Sequence, residues 1–156
     1  MSTIKNIFLS DDDADDRHFF QTAFEEVCSE HKLFFFDNNK DMLSKLKTPD
    51  FPKPELFFID LNMPMVNGIE CLRMIREIED LKDVPVIIYS TVRSELFIEE
   101  VHELGAAYYI RKPYDFYELV NLIKYVVDLD WKPQSSPTPF EDFVLTFNTI
   151  RKPLSE

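Results

Sequence analysis

Five short runs in the first four-fifths of the chain, residues 4–10, 32–36, 56–60, 86–90 and 107–110, are almost continuously apolar. Runs of that length with so few polar interruptions are the pattern of strands covered on both faces. Between them the apolar residues change to three-and-four spacing, which predicts helices that bury one stripe. Phe20, Ala23, Phe24, Val27 and Cys28 form the first stripe, and Met42, Leu43 and Leu46 a shorter one. Ile69, Leu72 and Ile75 follow Asn67-Gly68, and Leu96, Phe97, Val101 and Leu104 run up to Gly105, a residue suited to ending a helix. Phe116, Leu119, Val120, Ile123 and Val127 complete the set. Strands alternating with helices predict an α/β fold, a doubly wound five-stranded parallel sheet with helices on both faces.

Two stretches break the pattern. Residues 48–54 contain Pro49, Pro52 and Pro54 and read as a loop. Residues 130–156 contain four more prolines beside Ser135 and Ser136, and form an extension to a main domain of residues 1–129. That extension is nonetheless rich in apolar side chains: Trp131, Phe140, Phe143, Val144, Leu145 and Phe147. Burying several of them, at about 25 cal/mol per Å² of apolar area, offsets the entropy of ordering the segment. Residues 143–147 are therefore expected to pack as an added strand or a clamp, on their own domain or on a neighbouring copy. Edge pairing with the neighbour would make a homodimer.

Charge and composition narrow the function. The 156 residues include 17 basic and 29 acidic side chains, a formal net charge of −12. DNA, RNA and anionic membranes are poor partners for such a field. No apolar run approaches the ~20 residues that span a bilayer, and the N-terminus lacks a secretory pattern. Two cysteines, Cys28 and Cys71, are too few for a disulfide framework, so a cytoplasmic location is expected. Only Gly68 and Gly105 occur, which excludes a glycine-rich phosphate cradle. His18, His31 and His102 lack metal-ligand spacing.

In a doubly wound sheet the reactive crevice lies at the carboxyl ends of the strands. Here the first expected strand runs into Asp11, Asp12 and Asp13, the third ends at Asp60, the fourth at Ser90, and the fifth leads into Lys112. Clustered carboxylates repel, and a hard cation such as Mg²⁺ relieves the repulsion. A carboxylate nucleophile, a metal, a hydroxyl and an ammonium together suit phosphoryl chemistry. Taken singly, each has a plainer explanation. Residues 11–16 could simply be an acidic helix start, Asp60 a turn residue, Ser90 a satisfied core hydroxyl and Tyr109 a core ring.

Four motifs in order, LSDDD, FFIDLNMPMVNG, PVIIYST and YYIRKPYD, make residues 4–128 resemble the receiver domain of two-component response regulators, of the single-domain chemotaxis (CheY-like) type. The resemblance implies a flavodoxin-like fold. It implies Asp60 as the phosphoacceptor, Asp11 and Asp12 as the acidic pair, and Mg²⁺ held by Asp11, Asp12, Asp60 and the backbone carbonyl of Asn62. It further implies Ser90 and Tyr109 as switch residues, Lys112 as the cation on the phosphoryl group, and a cis Lys112-Pro113 bond. Two positions depart from the family pattern: Thr91 stands where alanine is usual and Ser10 where valine is frequent, and neither removes a reacting group.

The resemblance also implies a stand-alone regulator rather than a metabolic enzyme. It would take its phosphoryl group from a sensor histidine kinase, and signal to a protein target or pass the group to a histidine phosphotransfer protein. Residues 130–156 are too few for a helix-turn-helix effector. A phosphatase of the haloacid dehalogenase type would use similar groups, but with its nucleophile on the first strand within Asp-x-Asp. A pseudo-receiver would lack a member of the acidic pair, the acceptor or the lysine.

Overall fold

The structure is a computed structural model, and it describes residues 4–131 and 138–151. Five strands, β1 (Asn6–Ser10), β2 (Lys32–Phe36), β3 (Leu56–Ile59), β4 (Val86–Ser90) and β5 (Tyr108–Arg111), lie parallel to one another. They alternate with α1 (Ala14–Val27), α2 (Asn39–Leu46), α3 (Gly68–Glu77), α4 (Glu95–Glu103) and α5 (Phe116–Asp128). A sixth strand, β6 (Val144–Leu145), and a short helix, α6 (Phe147–Arg151), follow. The sheet order is β2-β1-β3-β4-β5-β6.

Two apolar layers explain the nearly unbroken apolar runs. Ile7, Leu9, Leu56, Phe58, Ile87, Tyr89 and Ile110 face α1 and α5, with Phe20, Phe24, Leu119, Ile123 and Val127 packed on them. The alternate residues Phe8, Phe57, Ile59, Val86, Ile88 and Tyr109 face Met42, Leu72, Ile75, Ile98 and Val101 of α2, α3 and α4. Successive strand residues point to opposite faces, so both halves of each central strand must be apolar. Strand β2 departs from the expectation of two covered faces. It lies at the sheet edge, and Phe35 is exposed. Strand β1 starts at Asn6 rather than residue 4, and Ile4 lies in solvent.

Local chemistry sets the helix ends. Asp13, Asn38, Asn67 and Asp115 are N-caps whose side chains accept from the backbone N–H of Asp16, Asp41, Glu70 and Glu118. Gly105 takes φ +93° just beyond α4, as its expected role as a stop requires. Its carbonyl accepts from Arg76 Nη2 at 2.9 Å. The proline-rich stretch 48–54 is irregular, and within it Phe51 packs on the rings of Phe8, Phe34 and Phe36.

The expected five-stranded sheet has six strands because the C-terminal extension supplies one. Val144 and Leu145 pair in parallel with Tyr109 and Ile110 of the same chain. Of the two destinations weighed for residues 143–147, the structure shows their own domain. The edge of β5 that would have paired with a neighbouring copy is thus taken within the chain. The segment coils into this position because Phe143 and Leu145 are buried while Phe140, Glu141 and Asp142 stay exposed.

Cys28 and Cys71 are both buried, and burial pushes each thiol up to about 12, for Cys28 with added repulsion from Glu30 and Asp128. Both are packing residues held as thiols near neutrality. A disulfide reagent at mildly alkaline pH should label neither in the native protein and both after guanidinium unfolding. Rapid native labelling of either would contradict this packing.

Candidate functional site

The register of the sheet gathers the polar strand ends. Ser10 lies beside Ile59 and Ser90 beside Arg111, so the residues that follow, Asp11, Asp60 and Lys112, leave the sheet at one edge. Backbone bonds hold these exits. Asp11 N–H donates to Phe36 O, Asp60 N–H to Ser10 O and Lys112 N–H to Ser90 O, at 3.0, 3.1 and 3.0 Å.

The Lys112 ammonium is the centre of the site. Its Nζ lies 2.7 Å from Asp11 Oδ2, 2.8 Å from Asp60 Oδ2 and 2.8 Å from Asp16 Oδ2. The Tyr89 ring centroid is 5.3 Å away, under the same cation. Burial alone would lower the Lys112 pKa, but hydrogen bonds to Asp11, Asp16 and Asp60 more than reverse this and raise it, so the ammonium stays charged. Burial also raises the Asp11 pKa, against the lowering influence of Lys112 and of the Asp13 N–H on its Oδ1.

Asp11, Asp12 and Asp60 each offer a carboxylate oxygen within 4.8 Å of the others; Asp11 and Asp60 are buried and Asp12 is exposed. Asp16 joins Asp11 and Asp60 on the ammonium, so four carboxylates gather at this edge, three of them on Lys112. The donors are all hard oxygens, their mutual repulsion is only partly met by Lys112, and Asp12 keeps the cluster open to solvent. This set fits a Mg²⁺-like cation.

The remaining expected residues occupy the same edge in different ways. Asn62 donates its N–H to Asp60 Oδ1 at 3.3 Å, orienting the carboxylate from the β3–α3 loop. Ser90 is fully buried at the end of β4, and its Oγ accepts from Val92 N–H at 3.2 Å rather than meeting Asp60 or Lys112 directly. Tyr109 is also fully buried, and its hydroxyl donates to Val92 O at 2.5 Å. Burial pushes its phenol up to about 12, with a Ser90 hydrogen bond pulling the other way. The Lys112-Pro113 bond is trans, contrary to the cis form that the resemblance implied; trans is the intrinsically favoured isomer.

Asp16 escaped the sequence reading, where it appeared only within an acidic helix start. That plainer role holds for Asp13, which caps α1, but Asp16, in the first turn of α1, meets Lys112. No spacing in the acidic run 11–16 singles it out, because first-turn carboxylates are already explained by the helix dipole. Asn39 was also missed. It is buried in α2, and its Nδ2 donates to Val66 O at 2.9 Å, propping the β3–α3 loop. In that loop Met65 takes φ +68°, the one non-glycine residue with positive φ among those described.

A doubly wound α/β domain with a lysine-bridged carboxylate cluster at its strand ends is therefore the class that fold and site define. The family model of the response regulator receiver domain matches residues 7–124, and the chain belongs to that family. A probable transcriptional regulatory protein of Picosynechococcus sp. is 29% identical over 153 residues, covering 93% of this chain and 59% of that protein. The chain thus spans under two-thirds of that relative's length. The phosphorylated cyanobacterial phytochrome response regulator RcpA superposes with a TM-score of 0.75 at 25% identity, over 87% of this chain and 100% of that one. The Mn(2+)-bound form of response regulator Rcp1 gives a TM-score of 0.71 at 24% identity, over 86% and 99% of the two chains. Among the described residues no helix is long and apolar enough to cross a membrane.

Gly68 opens α3 close against the end of β3. A Cβ there would sit 2.6 Å from Asp60 O and 2.8 Å from Leu61 Cα, both backbone atoms that have little room to move. Gly68→Ala should cost about 1–3 kcal/mol of stability in urea denaturation, the usual range for overpacking. An unchanged midpoint would show that the loop yields freely.

Proposed function

We propose that this chain is a phosphoryl-accepting signalling receiver of the cytoplasm, with Asp60 as the acceptor and a sensor histidine kinase as donor. The observation that carries the reading is the Lys112 ammonium held 2.8 Å from Asp60 and 2.7 Å from Asp11 at the open end of the sheet. In this reading residues 1–129 are the receiver and residues 130–156 an extension to it. Output passes through protein contacts, to a target or to a histidine phosphotransfer protein.

Asp60 attacks the donor phosphorus through a carboxylate oxygen. An O–P bond forms as the P–N bond of the phosphohistidine breaks, and the imidazole leaves with its electron pair. Lys112 is already within one hydrogen bond of the reacting carboxylate, and its charge offsets the anionic oxygens that arrive with the phosphoryl group. Asp11 and Asp16 hold that ammonium in place when the Asp60 carboxylate gives up its charge to the new O–P bond and the charged oxygens become those of the phosphoryl group. Asn62 N–H orients the Asp60 carboxylate from the other side. Ser90 supplies a hydroxyl at the end of the neighbouring strand, to donate to a phosphoryl oxygen by turning from Val92. Asp11, Asp12 and Asp60, with the Asn62 carbonyl, are the residues that would hold Mg²⁺, which when bound screens the charge on the transferred oxygens. RcpA is phosphorylated and Rcp1 binds Mn²⁺ by the names of their structures, which supports both parts of the reading.

Incubation with acetyl phosphate and Mg²⁺ should add one phosphoryl group to the intact mass, and Asp60→Asn should abolish the gain. Equal modification of the variant would move the acceptor elsewhere.

Mg²⁺ should bind to the unphosphorylated chain, and calorimetric titration should show about tenfold or weaker affinity in Asp12→Ala. The same affinity in both proteins would remove Asp12 from the ligand set.

A further inference from the structure

Tyr109 links the site to the C-terminal extension. On one side its hydroxyl meets Val92 O, two residues beyond Ser90, and Ser90 Oγ takes the Val92 N–H. On the other side the ring is closed off by residues that follow the main domain. The Phe143 ring lies 6.4 Å from it at 58°, Phe143 O accepts the Tyr109 N–H at 3.0 Å, and Val144 pairs with Tyr109 in the sheet.

The extension is held at a second point as well. Phe143 is fully buried with its ring 4.8 Å from His102 of α4, and Phe140 stacks on Phe143 at 6.3 Å. His102 Nε2 lies 2.6 Å from Thr138 O. The aromatic contacts and the β6 pairing therefore anchor both sides of Phe143.

A fully buried tyrosine can turn outward only into space that another group vacates. Phe143 is the aromatic ring packed beside Tyr109 on the side of the extension. Turning out would also break the hydroxyl bond to Val92, and with it the tie to the loop whose Val92 N–H bonds the Ser90 hydroxyl. In this chain Tyr109 is turned inward and covered.

We infer that Phe143 is a positioning residue for Tyr109, and that docking of residues 138–145 and phosphoryl acceptance at Asp60 favour one another. The inference rests on the reading of Asp60 as the acceptor. It adds a device that belongs to this chain's own extension: a ring that keeps Tyr109 turned toward the β4–α4 loop. Because coupling between two equilibria is reciprocal, the extension should strengthen occupancy of the site, and occupancy of the site should tighten the extension.

The test uses the full chain with beryllofluoride and Mg²⁺ as a phosphoryl mimic. Affinity is measured for wild type, Phe143→Ala and Phe143→Leu. Phe143→Ala should bind about fivefold or more weakly, and Phe143→Leu, which keeps apolar bulk, should recover most of the loss. A purely structural role for Phe143 would lower the melting temperature and leave this affinity alone, so equal or tighter binding by Phe143→Ala overturns the inference. A measurement on the wild type is independent of how well the variants fold. Hydrogen exchange at the Tyr109 amide, which donates to Phe143 O, should slow when beryllofluoride binds; unchanged or faster exchange overturns the inference. A wild type that binds no beryllofluoride overturns the acceptor reading itself, whereas wild-type binding matched by Phe143→Ala overturns the Phe143 role alone.

Discussion

One ammonium shared by three carboxylates is the interaction on which the site depends. Lys112 meets Asp11, Asp16 and Asp60, which come from the end of β1, the first turn of α1 and the end of β3. Buried carboxylates at the ends of adjacent strands would repel one another and pay for desolvation, and a single cation at hydrogen-bonding distance meets both problems. Removing one partner from such a buried set typically costs about 3–5 kcal/mol. The arrangement is also reactive in kind. In the proposed reaction, the cation that neutralises Asp60 at rest is the one that would face the phosphoryl group once Asp60 is phosphorylated.

The sheet makes that arrangement possible by being parallel. All of its strands end at one edge, so residues far apart in the chain meet without long loops, and the backbone bonds from Asp11, Asp60 and Lys112 fix where each leaves the sheet. The two apolar layers then treat the strand ends differently. Tyr89 faces the α1–α5 layer and underlies the Lys112 cation, whereas Tyr109 faces the α2–α4 layer and meets Val92 and Phe143. One tyrosine supports the charge, and the other connects the loop after Ser90 to the last strand.

Much of this was legible in the amino-acid pattern. Continuous apolar runs marked the central strands because both faces are covered, and the four strand-end motifs located Asp11, Asp12, Asp60, Ser90 and Lys112 on one edge. What escaped has physical causes. Asp16 was hidden because an acidic first turn is explained by helix capping, and only the fold shows which of its carboxylates reaches the lysine. Val144–Leu145 was readable as a strand or clamp, but a two-residue strand carries no register signal, so its partner came from the structure. Met65 adopts a left-handed backbone with no glycine to announce it, and Asn39 acts through a loop distant in sequence. The Tyr109–Phe143 contact joins residues thirty-four positions apart, which no local pattern encodes.

The most direct test of Asp60 as the acceptor is reductive trapping. After treatment with acetyl phosphate and Mg²⁺, borohydride converts an aspartyl phosphate to homoserine, and peptide mass mapping locates the converted residue. Homoserine at position 60 and nowhere else is the expected result. Conversion at Asp11, Asp12 or Asp16 instead, or at no carboxylate in a folded and Mg²⁺-loaded protein, would contradict it.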